Sequence, residues 1–133
     1  MKCSIRIAAA LLALSAASSF AQNFPTKPVH MYIGFPAGTS TDILARLLAQ
    51  KLGDLWGQNV VADNRAGAGS SIAAAAVAKA TPDGYTLLFN SSAQSINPAL
   101  YARLPYDTVK DFVEIAMVAS QPNVLVVNPA SSI

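Results

Sequence analysis

Cysteine and histidine are almost absent from this sequence: Cys3 and His30 are the only examples among its 133 residues. A disulfide framework is therefore excluded, and no zinc or copper site is expected, because such sites take several of these side chains. No lysine lies between Val29 and Gln50, where the first glycine turn occurs, so the phosphate-binding loop motif is missing. The fold has to be stabilised by its apolar core.

The first 21 residues have the pattern of a secretory signal peptide. Two basic residues precede an apolar run at residues 7–14, and small residues at Ser19 and Ala21 mark a cleavage site before Gln22. That run is shorter than the roughly 20 residues of a spanning helix, so an uncleaved membrane anchor is the weaker alternative. Cleavage would remove Cys3 and deliver 112 residues to the periplasm. The remaining seven basic and seven acidic side chains favour neither nucleic acid nor an anionic membrane as a partner.

Apolar runs and their periodicity predict the order β-α-β-α-β, which indicates an α/β fold with a mostly parallel sheet. The predicted strands cover residues 29–34, 59–63 and 85–89, and the predicted helices cover 41–56 and 71–80. A helical turn is expected at 98–101, and further extended segments at 112–119 and 123–128.

The first helix has clear start and stop signals. Ser40 or Thr41 is expected to cap its amino end, and Gly57 to end it. Its apolar residues recur at helical spacing and predict one buried face, formed by Ile43, Leu44, Leu47, Leu48 and Leu52.

Three polar loops follow the three strands, at residues 35–42, 64–70 and 90–95. Because the carboxyl ends of parallel strands share one edge of a sheet, the loops should lie together there, where ligands bind in open α/β sheets. The helices after the first two loops begin with unpaired N–H groups and the positive end of the helix dipole, which suits an anion. The first loop offers no general base and no metal cage. It therefore predicts ligand binding without catalysis.

The sequence matches a nucleotide site and a hydrolase site only in part. Gly67 and Gly69 match two glycines of a dinucleotide fingerprint, but Ile72 occupies the third position. A secreted hydrolase would use Ser91 or Ser92 with His30, although His30 is better explained as a core or sheet-face residue.

Arg65 also has two interpretations. It could bind a ligand carboxylate as a bidentate donor. A structural role, in which it fastens its loop through Asp63 or a carbonyl, is the favoured prediction.

The sequence also resembles a known family over nearly all of residues 22–133. The run PTKPVHMYIGFPAGTSTDILARLLAQKLGDLWGQNVVADNRAGAGSSIAAAAVAKATPDGYTLLF, followed by SINPALY, LPYDTVKDF and VASQPNVLVVNP, is similar to the Bug or TctC family of extracytoplasmic solute receptors. The resemblance implies a periplasmic-binding-protein-like fold (type II) with two α/β lobes around a cleft. It also implies a receptor that takes a small carboxylate or related metabolite and passes it to the membrane subunits of a tripartite tricarboxylate transporter.

The resemblance further implies which residues contact the ligand. They lie on the three polar loops and at the start of the segment that follows the third; no catalytic residue, cofactor or metal is implied. The implied contacts are Ala37, Gly38, Thr39, Ser40, Thr41, Asp42, Asn64, Gly67, Ser91, Ser92 and Asn97.

Two departures from the family pattern bear on function. Thr39 and Ser70 stand where members usually have glycine, and Ala66 where they have proline. Members also continue through a second lobe, so residues 22–133 are expected to form an incomplete amino-terminal lobe. One open lobe should bind weakly or not at all, and a truncated, non-binding remnant is the remaining alternative.

Overall fold

A three-stranded parallel sheet with helices on both faces forms the centre of the structure, a computed structural model that describes residues 24–122 and 124–131. The predicted signal peptide lies outside the described residues. The strands are β1 (Val29–Ile33), β2 (Val60–Asn64) and β3 (Thr86–Phe89). The helices are α1 (Ser40–Trp56), α2 (Ser71–Ala78), preceded by a 3₁₀ turn at Ala68–Ser70, and α3 (Ala93–Leu100).

The strand order β2-β1-β3 places the first strand in the middle. Val29 is opposite Val60, and His30 is opposite Thr86. The chain moves from β1 to one neighbour through α1 and then across to the other neighbour through α2. Because parallel crossovers are right-handed, these opposite steps put α1 and α2 on opposite faces of the sheet. The predicted α/β fold with a parallel sheet is confirmed.

The apolar core lies between α1 and one face of the sheet. Val29 and Ile33 are fully buried, and Met31 is 2% exposed. On α1 the fully or nearly buried apolar residues are alanines, Ala45 and Ala49, with larger side chains packed around them at Leu48, Leu52 and Trp56.

The predicted buried face of α1 is therefore partly wrong. Ile43 and Leu47 are 60% and 54% exposed, respectively. The small Ala45 and Ala49 let the helix approach the strands closely. The helix face that contacts the sheet is therefore centred on these alanines, and Ile43 and Leu47 lie outside it.

The two ends of α1 are capped by the predicted kinds of residue, but the N-cap lies one residue earlier than expected. Thr39, rather than Ser40 or Thr41, is the N-cap: its backbone is extended and its hydroxyl accepts from the Asp42 N–H. Gly57 ends the helix with φ of +64°, a left-handed conformation that glycine adopts without steric cost.

On the other face, α2 approaches the end of β1 closely. Ala73 and Ala74 are fully buried. A Cβ added to Gly34 would collide with the Cβ of Ser70. The glycine after β1 is thus required by the path of the second loop.

Several predicted boundaries are wrong. Helix α2 ends at Ala78, two residues early, and α3 starts at Ala93 instead of Pro98, with Pro98 inside it. Residues 112–119 and 124–128, predicted to be extended, form no strand, because an apolar run makes a strand only where a neighbouring strand pairs with it. Asn123 lies outside the described residues. In the part of the chain that the structure describes, no helix has the length and apolar character needed to cross a bilayer.

Candidate functional site

The three polar loops lie at one edge of the sheet, as the parallel strands require. In the structure the first loop spans residues 34–39, the second 65–70 and the third 90–92. They follow β1, β2 and β3, which are hydrogen-bonded neighbours in register. Residues far apart in sequence therefore meet at this carboxyl edge.

The first loop is held by its own hydrogen bonds. The Thr39 hydroxyl donates to the Pro36 carbonyl at 2.8 Å and accepts from the Asp42 N–H at 3.4 Å. The Gly38 N–H donates to Asp42 Oδ2 at 2.9 Å. The Thr39 hydroxyl thus fixes the loop.

Asp42 is the most strongly bound side chain of this edge. It is only 3% exposed. Besides the Gly38 N–H, it accepts from Asn64 Nδ2 at 2.8 Å and from Arg46 Nε at 3.0 Å. These donors, first the Gly38 amide, then Asn64 and Arg46, lower the pKa of Asp42 from 3.8 to about 2. Asp42 is therefore a fixed anion inside the protein at neutral pH.

Asn64, the last residue of β2, connects the second strand to the first loop. Its Nδ2 also donates to the Phe35 carbonyl at 3.0 Å, and its Oδ1 accepts from Arg46 Nη2 at 2.7 Å. Sequence reasoning missed Arg46. The four-residue spacing from Asp42 on a helix is the signal that could have found it.

The first turn of α1 keeps free donors. Within the described residues, the backbone N–H groups of Ser40 and Thr41 have no acceptor, as expected for the start of a helix. Ser40 is exposed, and Thr41 is half-buried. With the positive end of a 17-residue helix behind them, these groups can bind an anion.

The second loop is tightly curved. Gly67, Gly69, Ala68 and Ser70 all have positive φ, the last two at +46° and +70°. Ser70 is 1% exposed, and its Oγ has no hydrogen-bond partner within the described residues. Its backbone conformation is one that glycine adopts without steric cost, which fits the glycine that the resemblance implies at this position.

Arg65 has the predicted structural role of fastening its loop. Its Nε donates to Asp63 Oδ2 at 3.0 Å, and its guanidinium lies 3.6 Å from the centre of the Tyr32 ring. The Tyr32 contact holds the start of the second loop against β1, and the Asp63 contact holds it against β2.

The third loop leaves Ser91 and Ser92 exposed. Asn97, by contrast, is 2% exposed, and its Nδ2 donates to the Gly69 carbonyl at 2.7 Å and to Ser71 Oγ at 3.1 Å. It joins α3 to the second loop.

The residues implied as ligand contacts thus form two groups. Asp42, Asn64 and Asn97 have their side chains engaged within the protein. The accessible group contains Ala37, Gly38, Ser40, Gly67, Ser91 and Ser92, with Thr39 and Thr41 half-buried.

His30 lies away from this edge. It is exposed on the sheet face, as predicted, and lines a shallow depression with Lys27, Asp83 and Tyr85 near the amino ends of the strands. The register puts His30 beside Thr86, and β3 then extends about 10 Å to Phe89 before Ser91 is reached. A serine-histidine pair for hydrolysis is therefore not assembled. Among the described residues, no three acidic, histidine or cysteine side chains converge as a metal site.

Comparison with known proteins decides the family. Residues 44–133 match the model of the tripartite tricarboxylate transporter family receptor. The chain belongs to this family. The resemblance predicted from the sequence is confirmed, and so is the absence of catalysis, because the family consists of solute-binding receptors.

Individual relatives agree with this assignment. Protein BugT of Bordetella pertussis is 46% identical over 116 residues, which cover 86% of this chain and 36% of BugT. The structure of Rpa4515 of R. palustris with adipate is 40% identical, with a TM-score of 0.62 over 64% of this chain and 29% of that one. MatC of Rhodopseudomonas palustris with bound malate is 35% identical, with a TM-score of 0.62 over 71% and 33%.

Other matched structures include periplasmic binding proteins, so the predicted periplasmic-binding-protein-like fold is confirmed. The chain spans less than two fifths of the length of the curated relatives it matches first.

Proposed function

We propose that this protein is a periplasmic receptor that binds a small carboxylate at the carboxyl edge of its sheet and passes it to the membrane subunits of a tripartite tricarboxylate transporter. The observation that carries the proposal is the pair of unpartnered N–H groups at Ser40 and Thr41, at the start of α1. A carboxylate supplies the two oxygens that such a pair of donors takes.

The ligand class follows from the charge and chemistry of this edge. Arg46 and Arg65 are already paired with Asp42 and Asp63, so recognition rests on backbone donors and the helix dipole. The relatives with bound adipate and malate support a dicarboxylate. The exposed hydroxyls of Ser91 and Ser92 lie on a neighbouring loop, where they would contact the second polar group of such a ligand.

This edge alone should bind weakly. Two charge-assisted hydrogen bonds contribute about 3–6 kcal/mol, and association costs at least about 4 kcal/mol in lost translational and rotational freedom. The balance, at most about 2 kcal/mol in favour of binding, corresponds to a dissociation constant of about 30 mM or weaker. Tight binding would need an opposing surface, and we propose that residues 22–133 are the amino-terminal lobe of a two-lobe receptor whose second lobe provides it. Residues 1–21 would direct the chain to the periplasm.

Titration of the ¹⁵N-labelled chain with malate and adipate, followed by NMR, tests the proposal, because chemical shifts detect binding this weak. The amide signals of Ser40 and Thr41 should move in a saturable way. Adipamide, which has the same length but no charge, should leave them in place. Equal shifts with adipamide, or shifts confined to the surface around His30, would refute the proposed function.

A further inference from the structure

Two asparagines bond neighbouring elements to the first two loops at the carboxyl edge. Asn64, at the end of β2, donates to the Phe35 carbonyl of the first loop and to Asp42. Asn97, on α3, donates to the Gly69 carbonyl of the second loop and to Ser71. Each of these two loops is thereby fixed by a side chain from an element later in the chain.

These amides have no donor left for a ligand. A primary amide has two N–H donors, and both are used in Asn64 and in Asn97. The Asn64 oxygen is also occupied, by Arg46. At 2% exposure, Asn97 is in addition out of reach of a molecule at the surface.

Asp42 is unsuited to contact a carboxylate directly. It is ionised, so a second carboxylate beside it would be repelled. Its contact with the Gly38 N–H instead determines how the loop before α1 is bent, with Gly38 at φ of +83°. Because the loop ends at the Thr39 cap, this bend sets the direction of the Ser40 and Thr41 donors.

We propose that Asp42, Asn64 and Asn97 are positioning residues: they join the first two loops and α3 into one preformed surface and act on the ligand only through the backbone donors they orient. The proposal rests on the proposed function for its ligand, but the geometry it invokes exists without one.

Asn64→Asp tests this assignment with a change of one heavy atom. The new carboxylate cannot donate to the Phe35 carbonyl and repels Asp42, so amide hydrogen exchange at Gly38 should become at least roughly tenfold faster at pH 7. At pH 3, where most of an ordinary aspartate is protonated and Asp42 is still ionised, the introduced carboxyl regains one donor and should recover part of the protection. Asn59→Asp is the matched control, because Asn59 is exposed just before β2 and its side chain has no bond within the described residues. It should behave as the unaltered chain.

The malate response distinguishes this proposal from the proposed function. If the unaltered chain shows no malate response, the proposed function fails, while the ligand-free exchange still decides the role of Asn64. If Asn64→Asp abolishes the response and leaves Gly38 exchange unchanged, Asn64 contacts the ligand itself and the positioning role is overturned.

A second measurement needs no variant. In the unaltered chain, the Gly38 amide nitrogen should show scalar coupling to the Asp42 carboxylate carbon across their hydrogen bond, from pH 7 to pH 4. Absence of that coupling would overturn the proposal even if the variants fail to fold.

Discussion

Replacing Ser70 by glycine should stabilise this protein. Ser70 has φ of +70°, is 1% exposed and leaves its Oγ without a partner among the described residues. Its Cβ also lies where Gly34 comes close. Each of these features is a cost that glycine at the same position does not have.

The expected gain can be worked out from these features. A left-handed conformation costs a non-glycine residue about 1–2 kcal/mol. A buried hydroxyl without a partner costs about 1–3 kcal/mol. The greater freedom of glycine in the unfolded chain offsets about 0.5–1 kcal/mol of this gain. Ser70→Gly should therefore raise the free energy of unfolding by about 2 kcal/mol, which is roughly 8 °C in melting temperature for a domain of this size.

Two further variants separate the contributions. Ser70→Ala removes the hydroxyl and keeps the strained backbone, whereas Ala68→Gly relieves strain at φ of +46° without changing a polar group. Ser70→Ala should give a part of the gain, and Ala68→Gly should show independently how much relief of a left-handed conformation contributes in this loop. Thermal and urea unfolding measure all three variants. A lower melting temperature for Ser70→Gly would refute the reasoning, because it would mean that the serine makes contacts worth more than these costs.

Three other changes have clear expected outcomes. Gly34→Ala should lower the free energy of unfolding by about 3 kcal/mol or more, because the new Cβ would collide with Ser70. Gly57→Ala should lower it by only about 1–2 kcal/mol, because the space around Gly57 is open and only the left-handed backbone opposes the change. Urea unfolding measures both values. Asp42→Asn should lower the urea midpoint at pH 7. Since folding lowers the pKa of Asp42, its contribution is complete above pH 3.8 and is lost as the pH falls towards 2, so the two midpoints should converge over that range. Arg65→Gln should cost less than about 1 kcal/mol, because its ion pair with Asp63 is partly exposed; a larger loss would show that the Tyr32 contact dominates.

Local signals in the sequence were enough for the framework. The apolar runs of β1 and β2, the periodicity of α1 and the glycine at position 57 are properties of short segments, and β1, β2, β3 and the first two helices were found within two residues of the predicted bounds. The start of α3 was missed because Gln94, Ser95 and Asn97 favour a loop by composition, whereas the buried Asn97 side chain holds that segment against the second loop.

The contacts of the site depend on which strands are neighbours. Asp42 and Asn64 are 22 residues apart and meet only because β2 pairs with β1. Periodicity cannot supply that pairing. It also cannot show that Ala45 and Ala49, rather than the larger Ile43 and Leu47, lie against the strands.

The central claim is that backbone N–H groups at the start of α1 capture a carboxylate, and Ser40→Pro tests it most directly. Proline is well tolerated at the first position of a helix, and the extended Thr39 before it (φ −75°, ψ 161°) suits it, so the helix should remain while one donor is lost. The NMR response to malate should weaken by roughly tenfold or more in Ser40→Pro, as expected for the loss of one charge-assisted hydrogen bond. It should persist in Ser40→Ala, which keeps the N–H group. An unchanged malate response in Ser40→Pro would contradict the account.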